Sequence, residues 1–307
     1  MKKKFLALVL LMTFLGTVLS GCGDGSAAET QKSRADTNEL VVGIAQDLDD
    51  SLDPHKTVKA GTREVMFNVF EGLMKPTPDG DLTPAIAERY EVSEDRMTYT
   101  FHLREGVQFH NGETVTAEDV VYSIQRCAAA TETGIVQVEA FSVIQDIKTP
   151  DDKTVAITIS EPSNEFISYM TTAILPADYD KQDTAPVGTG PFKFVKWTLG
   201  DSVEFEAFED YWEGAPAIKK ITYRIIPEGS SRTIALEAGE IDFIVEVDNN
   251  DLGRLEAEDG IEVINQTGTG FNFLVLNNEK APFDNQDFRH FMNCAVNKDA
   301  LVEVALN

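Results

Sequence analysis

The pattern of apolar and polar positions divides the chain at about residue 38. Before it, Phe5 to Leu19 is a near-continuous apolar run. After it, apolar residues return in short periodic blocks, as expected where strands and helices alternate. Residues 39–46 predict a buried first strand. Val65, Met66, Val69, Phe70, Leu73 and Met74 fall at helical spacing and predict a helix over 61–74. Met97 to Leu103 alternates with period two, a half-buried strand, and Lys153 to Ile159 is another. Thr116 followed by Glu118 and Asp119 predicts an N-cap with acids in the first helical turn, ahead of a helix that buries Val120, Val121 and Ile124. Phe192–Trp197, Ser202–Phe208 and Ile221–Pro227 predict strands, and Arg232–Ala238 a short helix stopped by Gly239. Ile261–Thr267 and Phe271–Asn278 predict two more strands, separated by Gly268, Thr269 and Gly270. Gln286–Val296 and Asp299–Leu306 predict helices, the second reaching the end of the given sequence without a cap or tail.

The start of the chain reads as an address. Lys2, Lys3 and Lys4 precede the apolar run, which is too short and too terminal for an ordinary spanning helix. Leu19-Ser20-Gly21-Cys22 follows. Residues 1–21 thus predict a secretory signal peptide, and the four residues at its end resemble a bacterial lipobox, in which the cysteine becomes the lipidated first residue. Cys22 is the expected lipid attachment point. Residues 22–38, rich in small and polar side chains, predict a flexible tether. The domain beyond is expected outside the cytoplasmic membrane.

Charge and chemistry narrow the classes. The chain of 307 residues carries 52 Asp plus Glu against 26 Lys plus Arg, a formal net charge of −26. Such a surface repels phosphate backbones, so nucleic acid is not an expected partner. Three cysteines, Cys22, Cys127 and Cys294, form no metal-binding spacing, and the last two read as small core residues. His55, His102, His110 and His290 fall in no zinc-ligand spacing, and no nucleophile-elbow glycine–serine motif is present. No catalytic residue and no cofactor are expected. Val187-Gly188-Thr189-Gly190-Pro191-Phe192 is glycine-rich, but no Walker-type lysine follows and Pro191 stands where a phosphate loop needs a helix. It reads as a tight passage into a strand.

A set of stretches, in order, carries a resemblance. They are Val69-Phe70-Glu71-Gly72-Leu73-Met74-Lys75 with Leu82-Thr83-Pro84-Ala85, and Tyr99 to His110 with Asn111-Gly112-Glu113 and Thr116-Ala117-Glu118-Asp119. Val187 to Phe192, Tyr211-Trp212 with Pro216, and Glu237-Ala238-Gly239-Glu240-Ile241-Asp242 follow. The last is Asn277-Asn278 with Ala281-Pro282-Phe283-Asp284, Arg289 and Ala295-Val296-Asn297-Lys298. Together they resemble the family 5 extracellular solute-binding proteins, the dipeptide-, oligopeptide- and nickel-binding lipoproteins of ABC importers.

The resemblance implies an α/β, two-lobed periplasmic-binding-protein-like fold of type II, of the large cluster with an extra subdomain. Lobe I would take 39–60 and 186–267, an inserted subdomain 61–185, and lobe II would begin at 268–307 and be incomplete, since family members are longer. It implies a non-enzymatic, monomeric protein that captures a peptide between lobes and delivers it to an ABC permease. Nickel chelates, haem and oligosaccharides are the alternative ligands, and peptide sensing without transport the alternative role. Gly268, Thr269, Gly270, Phe271 and Asn272 are the expected ligand-facing residues at the lobe crossing, because glycines leave backbone groups approachable. Glu71 and Leu73 are expected at the cleft mouth.

Overall fold

The computed structural model describes residues 38–48, 51–57, 59–129, 138–265 and 273–305. The expected signal peptide and tether, Cys22 included, lie outside the described residues, as do Gly268, Thr269, Gly270, Phe271 and Asn272.

From residue 39 the chain builds two sheets, each with its own core. The first sheet holds β1 (Glu39–Ile44), β8 (Phe192–Thr198), β9 (Ser202–Ala207), β10 (Lys220–Ile225) and β11 (Phe243–Ile244), in the order β11-β1-β10-β9-β8. β1 runs parallel to β10 and β11, whereas β8, β9 and β10 are antiparallel neighbours. Asp242, at the entry to β11, locks this edge: Val41 N donates to its Oδ2 at 2.8 Å, and its own N–H donates to Val41 O at 2.7 Å. The second sheet is antiparallel, in the order β4 (Ala87–Val92), β5 (Thr98–Leu103), β7 (Thr154–Ile159), β6 (Ile144–Asp151). A small ribbon, β2 (Met74–Pro76) with β3 (Leu82–Pro84), leads into it.

The alternation in β5 and β7 does what period two requires. Tyr99, Phe101 and Leu103 face inward, as do Val155, Ile157 and Ile159 on β7, with Tyr99 opposite Ile157 and Phe101 opposite Val155. A helix, Ala117–Ala128, covers that face through Val120, Ile124 and Cys127, spaced by four and three residues. Val121, expected in the same stripe, is half-exposed one step round the helix. The helix begins with a full capping box. Thr116 Oγ1 accepts from Asp119 N, and Asp119 Oδ2 accepts from Thr116 N at 2.9 Å. Such caps are worth about 1 kcal/mol.

Elsewhere the local pattern is overruled. The periodicity over 61–74 yields a helix only at Ala60–Met66. The reason is tertiary. Asn68 O and Val69 O turn away from the helix axis and accept from Phe192 N at 3.0 Å and Gly190 N at 2.9 Å. Val65, Met66, Val69 and Phe70 then pack against the first sheet, while Leu73 and Met74 join the second core. Likewise Ile174 belongs to the second core and Leu175 to the first. The chain therefore passes between cores at Glu71–Gly72 and returns at 174–175, inside the span 61–185 expected for an insertion.

Two expected strands do not form in the part described. Residues 261–265 and 273–277 carry no strand, and Phe273, Leu274 and Val275 are more than 70% exposed. A strand exists only where a neighbour satisfies its backbone groups, and among the described residues no strand pairs with 261–265 or 274–277. The helices Gln286–Ala295 and Lys298–Ala305 do form, because their hydrogen bonds are internal, and the first is capped by Asn285.

The glycine passage crosses the outgoing chain at contact distance. A Cβ on Gly188 would lie 2.1 Å from Val69 O, and one on Gly190 2.6 Å from Asn68 O. Backbone cannot move aside as a flexible side chain can. Gly188→Ala is expected to cost more than about 3 kcal/mol or to prevent folding, read as the urea midpoint. A variant within 0.5 kcal/mol of wild type, roughly the spread of neutral surface changes, would contradict this packing.

Candidate functional site

A cleft of about 1120 Å³ opens beside this crossing. Its walls come from the loop at Pro54–Thr57, the helix at Ala60–Met66, the crossover Phe70–Lys75, the return at Thr171–Ala173, and the segment Tyr211–Pro216. Each wall has a physical reason to be where it is.

The crossover is pinned by Glu71. Tyr211 Oη donates to its Oε1 at 2.6 Å and Trp212 Nε1 to its Oε2 at 2.8 Å. Lys75 Nζ lies 3.8 Å from the same carboxylate and 2.5 Å from Glu213 Oε2. Trp212 in turn carries Lys75 at 4.7 Å and Arg104 at 4.2 Å from its ring centroid, so two cations sit on one indole. Burial raises the Glu71 pKa, and the Tyr211 and Trp212 hydrogen bonds oppose that rise. Tyr211 is driven up as well, by burial and by the two carboxylates beside it.

The 54–57 loop is pinned by a second cluster. Asp53, 1% exposed, takes two hydrogen bonds from Arg126, Nη1 to Oδ1 at 2.9 Å and Nη2 to Oδ2 at 2.5 Å. His55 Nε2 donates to Ala173 O at 2.8 Å, and its Nδ1 accepts from Arg126 Nη1 at 3.1 Å. The ring is thereby held neutral in one tautomer between the loop and the returning chain. His110 plays the same part at the glycine passage: Nε2 donates to Gly190 O at 2.9 Å, and Nδ1 accepts from Gly188 N at 3.4 Å. Burial lowers both histidines to about 4, helped by Arg126 at His55 and by Lys193 at His110.

The expected site residues divide on inspection. Glu71 does line the cleft, though its carboxylate is spent on the clamp. Leu73, expected at the mouth, is 1% exposed and sits in the second core instead. One residue past Gly72 the chain has already entered the second core, where apolar burial favours leucine. The stretch from Gly268 to Asn272 lies outside the described residues. His55, Arg63, Tyr211 and Glu213 join the cleft from three separate stretches, and no local signal announces that meeting. Cys127 also reaches the cleft wall, but burial pushes its thiol up to about 12, so it is unreactive. No cluster of three metal-ligating side chains occurs among the described residues.

Residues 81–307 match the bacterial extracellular solute-binding proteins, family 5. The chain belongs to that family, and its fold is the type II binding-protein fold, of which it makes part. It is similar to the glutathione-binding protein GsiB of Pectobacterium atrosepticum, 32% identical over 84% of this chain and 52% of that protein. It is 28% identical to heme-binding protein A of Haemophilus influenzae, over 93% of this chain and 59% of the relative. The periplasmic binding protein DppA of Helicobacter pylori, solved in complex with the peptide STSA, superposes with a TM-score of 0.79 at 28% identity, over 89% of this chain and 60% of that one. The chain thus spans a little over half the length of these relatives, all of them binding proteins.

Two outcomes test the clamp and the histidines. Glu71→Gln puts an amide donor against the Tyr211 and Trp212 donors, and is expected to cost about 1–3 kcal/mol in urea unfolding; unchanged stability would show that the clamp carries no weight. For the histidines, the folded pKa lies below the unfolded one, so the unfolded chain binds more protons between the two. Stability is full above about pH 6.5 and falls as pH drops towards about 4. The loss is on the order of 3 kcal/mol per histidine at most. A urea midpoint that stays level from pH 7 to pH 4.5 would contradict it.

Proposed function

We propose that this chain forms the ligand-capturing part of an extracytoplasmic substrate-binding lipoprotein of an ABC importer, and that the captured ligand is a di- or oligopeptide. The cleft beside the crossover carries the reading: its volume suits a small ligand, its walls are held by buried hydrogen bonds, and it lies in a chain of this family. The likeness to a binding protein solved with the peptide STSA, and to one named for glutathione, itself a tripeptide, supports a peptide over the haem named for another relative. Cys22 would carry the lipid, residues 22–38 would tether the domain to the outer side of the cytoplasmic membrane, and a membrane permease would receive the ligand. On this reading 39–60 and 186–267 are lobe I, 61–185 its inserted subdomain, and 268–307 the start of lobe II. Gly268 to Asn272 would then present backbone groups to the ligand where the chain crosses. Closure follows from contacts made by both lobes, which stabilise the closed state over the open one.

The test is thermal denaturation of the complete gene product against a di- and oligopeptide library. At a hundredfold excess over Kd, binding adds about 2.7 kcal/mol, a rise of roughly 5–10 °C. A melting point indifferent to peptides but raised by haem, a nickel chelate or an oligosaccharide would keep the binding role and overturn the peptide assignment.

A further inference from the structure

The charged groups of the cleft are not all balanced against one another. Its acids, Glu71 and Glu213, both meet Lys75, at 3.8 and 2.5 Å. His55 is held neutral by the hydrogen bonds at its two ring nitrogens. That leaves Arg63, on the helix Ala60–Met66, which lines the cleft and meets no carboxylate among the described residues.

The guanidinium is also fixed in place. Nε and Nη2 both donate to Thr57 O, at 3.2 and 3.0 Å. This occupies the lateral edge of the fork and holds the plane against the loop. The opposite edge, formed by Nη1 and the second proton of Nη2, makes no hydrogen bond to a described residue. That edge has the spacing of a carboxylate's two oxygens and can take it bidentately. One helical turn on, Phe67 also lines the cleft and is 60% exposed, next to the well-buried Phe70. An exposed phenylalanine at the cap of this helix and an uncompensated, pre-oriented arginine within it offer an apolar surface and an anion site about one turn apart.

The background sharpens the point. The protein carries a net charge of −26, which disfavours any approaching anion. A negatively charged ligand therefore needs a local cation, and in this wall of the cleft Arg63 supplies it.

We infer that Arg63 is the specificity residue of the cleft, holding a carboxylate of the ligand through its Nη1–Nη2 edge while Phe67 covers an adjoining apolar group. The ligand class is thus a small carboxylic acid with an apolar body. A peptide with a free C-terminal carboxylate beside an apolar residue meets that description. The inference rests on the cleft being the ligand site and deepens that reading.

The test uses the complete gene product, with alanyl-phenylalanine and its C-terminal amide as probes in calorimetry. Wild type is expected to bind the free acid about 10- to 100-fold more tightly than the amide, the usual worth of a charge-assisted pair. Arg63→Gln is expected to remove that preference by weakening the acid alone, and Arg63→Lys to restore part of it. Unchanged melting points of the variants without ligand show that the fold is intact. If wild type binds both probes equally, or Arg63→Gln keeps the preference, the arginine assignment is overturned while the peptide reading stands. If wild type binds neither probe, this dipeptide is not a ligand, and glutathione and haem, both carboxylates, take the place of the probes. A tenfold or greater loss on Arg63→Gln for either one then supports the inference. No loss, or no binding by any of them, overturns it.

Discussion

Three stretches of backbone touch where the two cores meet, and the rest of the molecule is arranged around that contact. The outgoing chain at 68–72, the returning chain at 170–175 and the passage at 188–192 bond to one another through main-chain groups: Phe192 to Asn68, Gly190 to Val69, and Ile174 to Glu71. Side chains would keep these strands apart. A Cβ on Gly72 would lie 2.4 Å from Met170 O, and those on Gly188 and Gly190 would strike Asn68 and Val69. Glycine is required here for its absence of a side chain, and none of the three has a positive φ.

The contact explains why a cleft exists beside it. Two packed cores joined through bare backbone leave space at their junction that neither core's side chains fill. The space is kept in shape by buried polar clusters, each of which ties segments distant in sequence. Glu71 reaches Tyr211 and Trp212, Asp53 reaches Arg126, His55 reaches Ala173, and His110 reaches Gly188 and Gly190. Such groups hold the geometry more than they add net stability, because desolvation offsets much of what their pairing gains. Their cost when one partner is lost is larger, since the other is left buried and unmatched.

The same clusters decide which charges remain for a ligand. Glu71, Glu213 and Lys75 satisfy one another, and His55 is neutral within its network. Arg63 stands outside these pairings, fastened by one edge only. In a chain this acidic, one fixed cation in the wall of a cleft has more influence on which molecules enter than the overall charge has.

Much of this was legible in the residues. Periodicity located β1, β5, β7, β8, β9, β10 and the capped helix after Thr116, because each depends on neighbours within a few residues and on one buried face. The family resemblance rested on short motifs and reached the fold class. The glycines of the passage could be read as a tight crossing, but not what they cross. What escaped the pattern was every feature decided at a distance. The helix predicted over 61–74 stops at Met66 because carbonyls at 68 and 69 are claimed by residues more than a hundred positions later. Leu73 and Glu71 differ by two positions, yet one is core and the other lines a cleft, because the chain changes cores between them. Arg63 carries no motif at all; its meaning comes from which acids Lys75 has already taken. By itself the sequence determined most of the elements and the acidity of the surface, which follow from local spacing and composition, while the kind of fold came from the resemblance its motifs carry. Only the tertiary structure decided which side chains meet at the cleft and which of their charges are left uncompensated, since pairing depends on distances that folding alone creates.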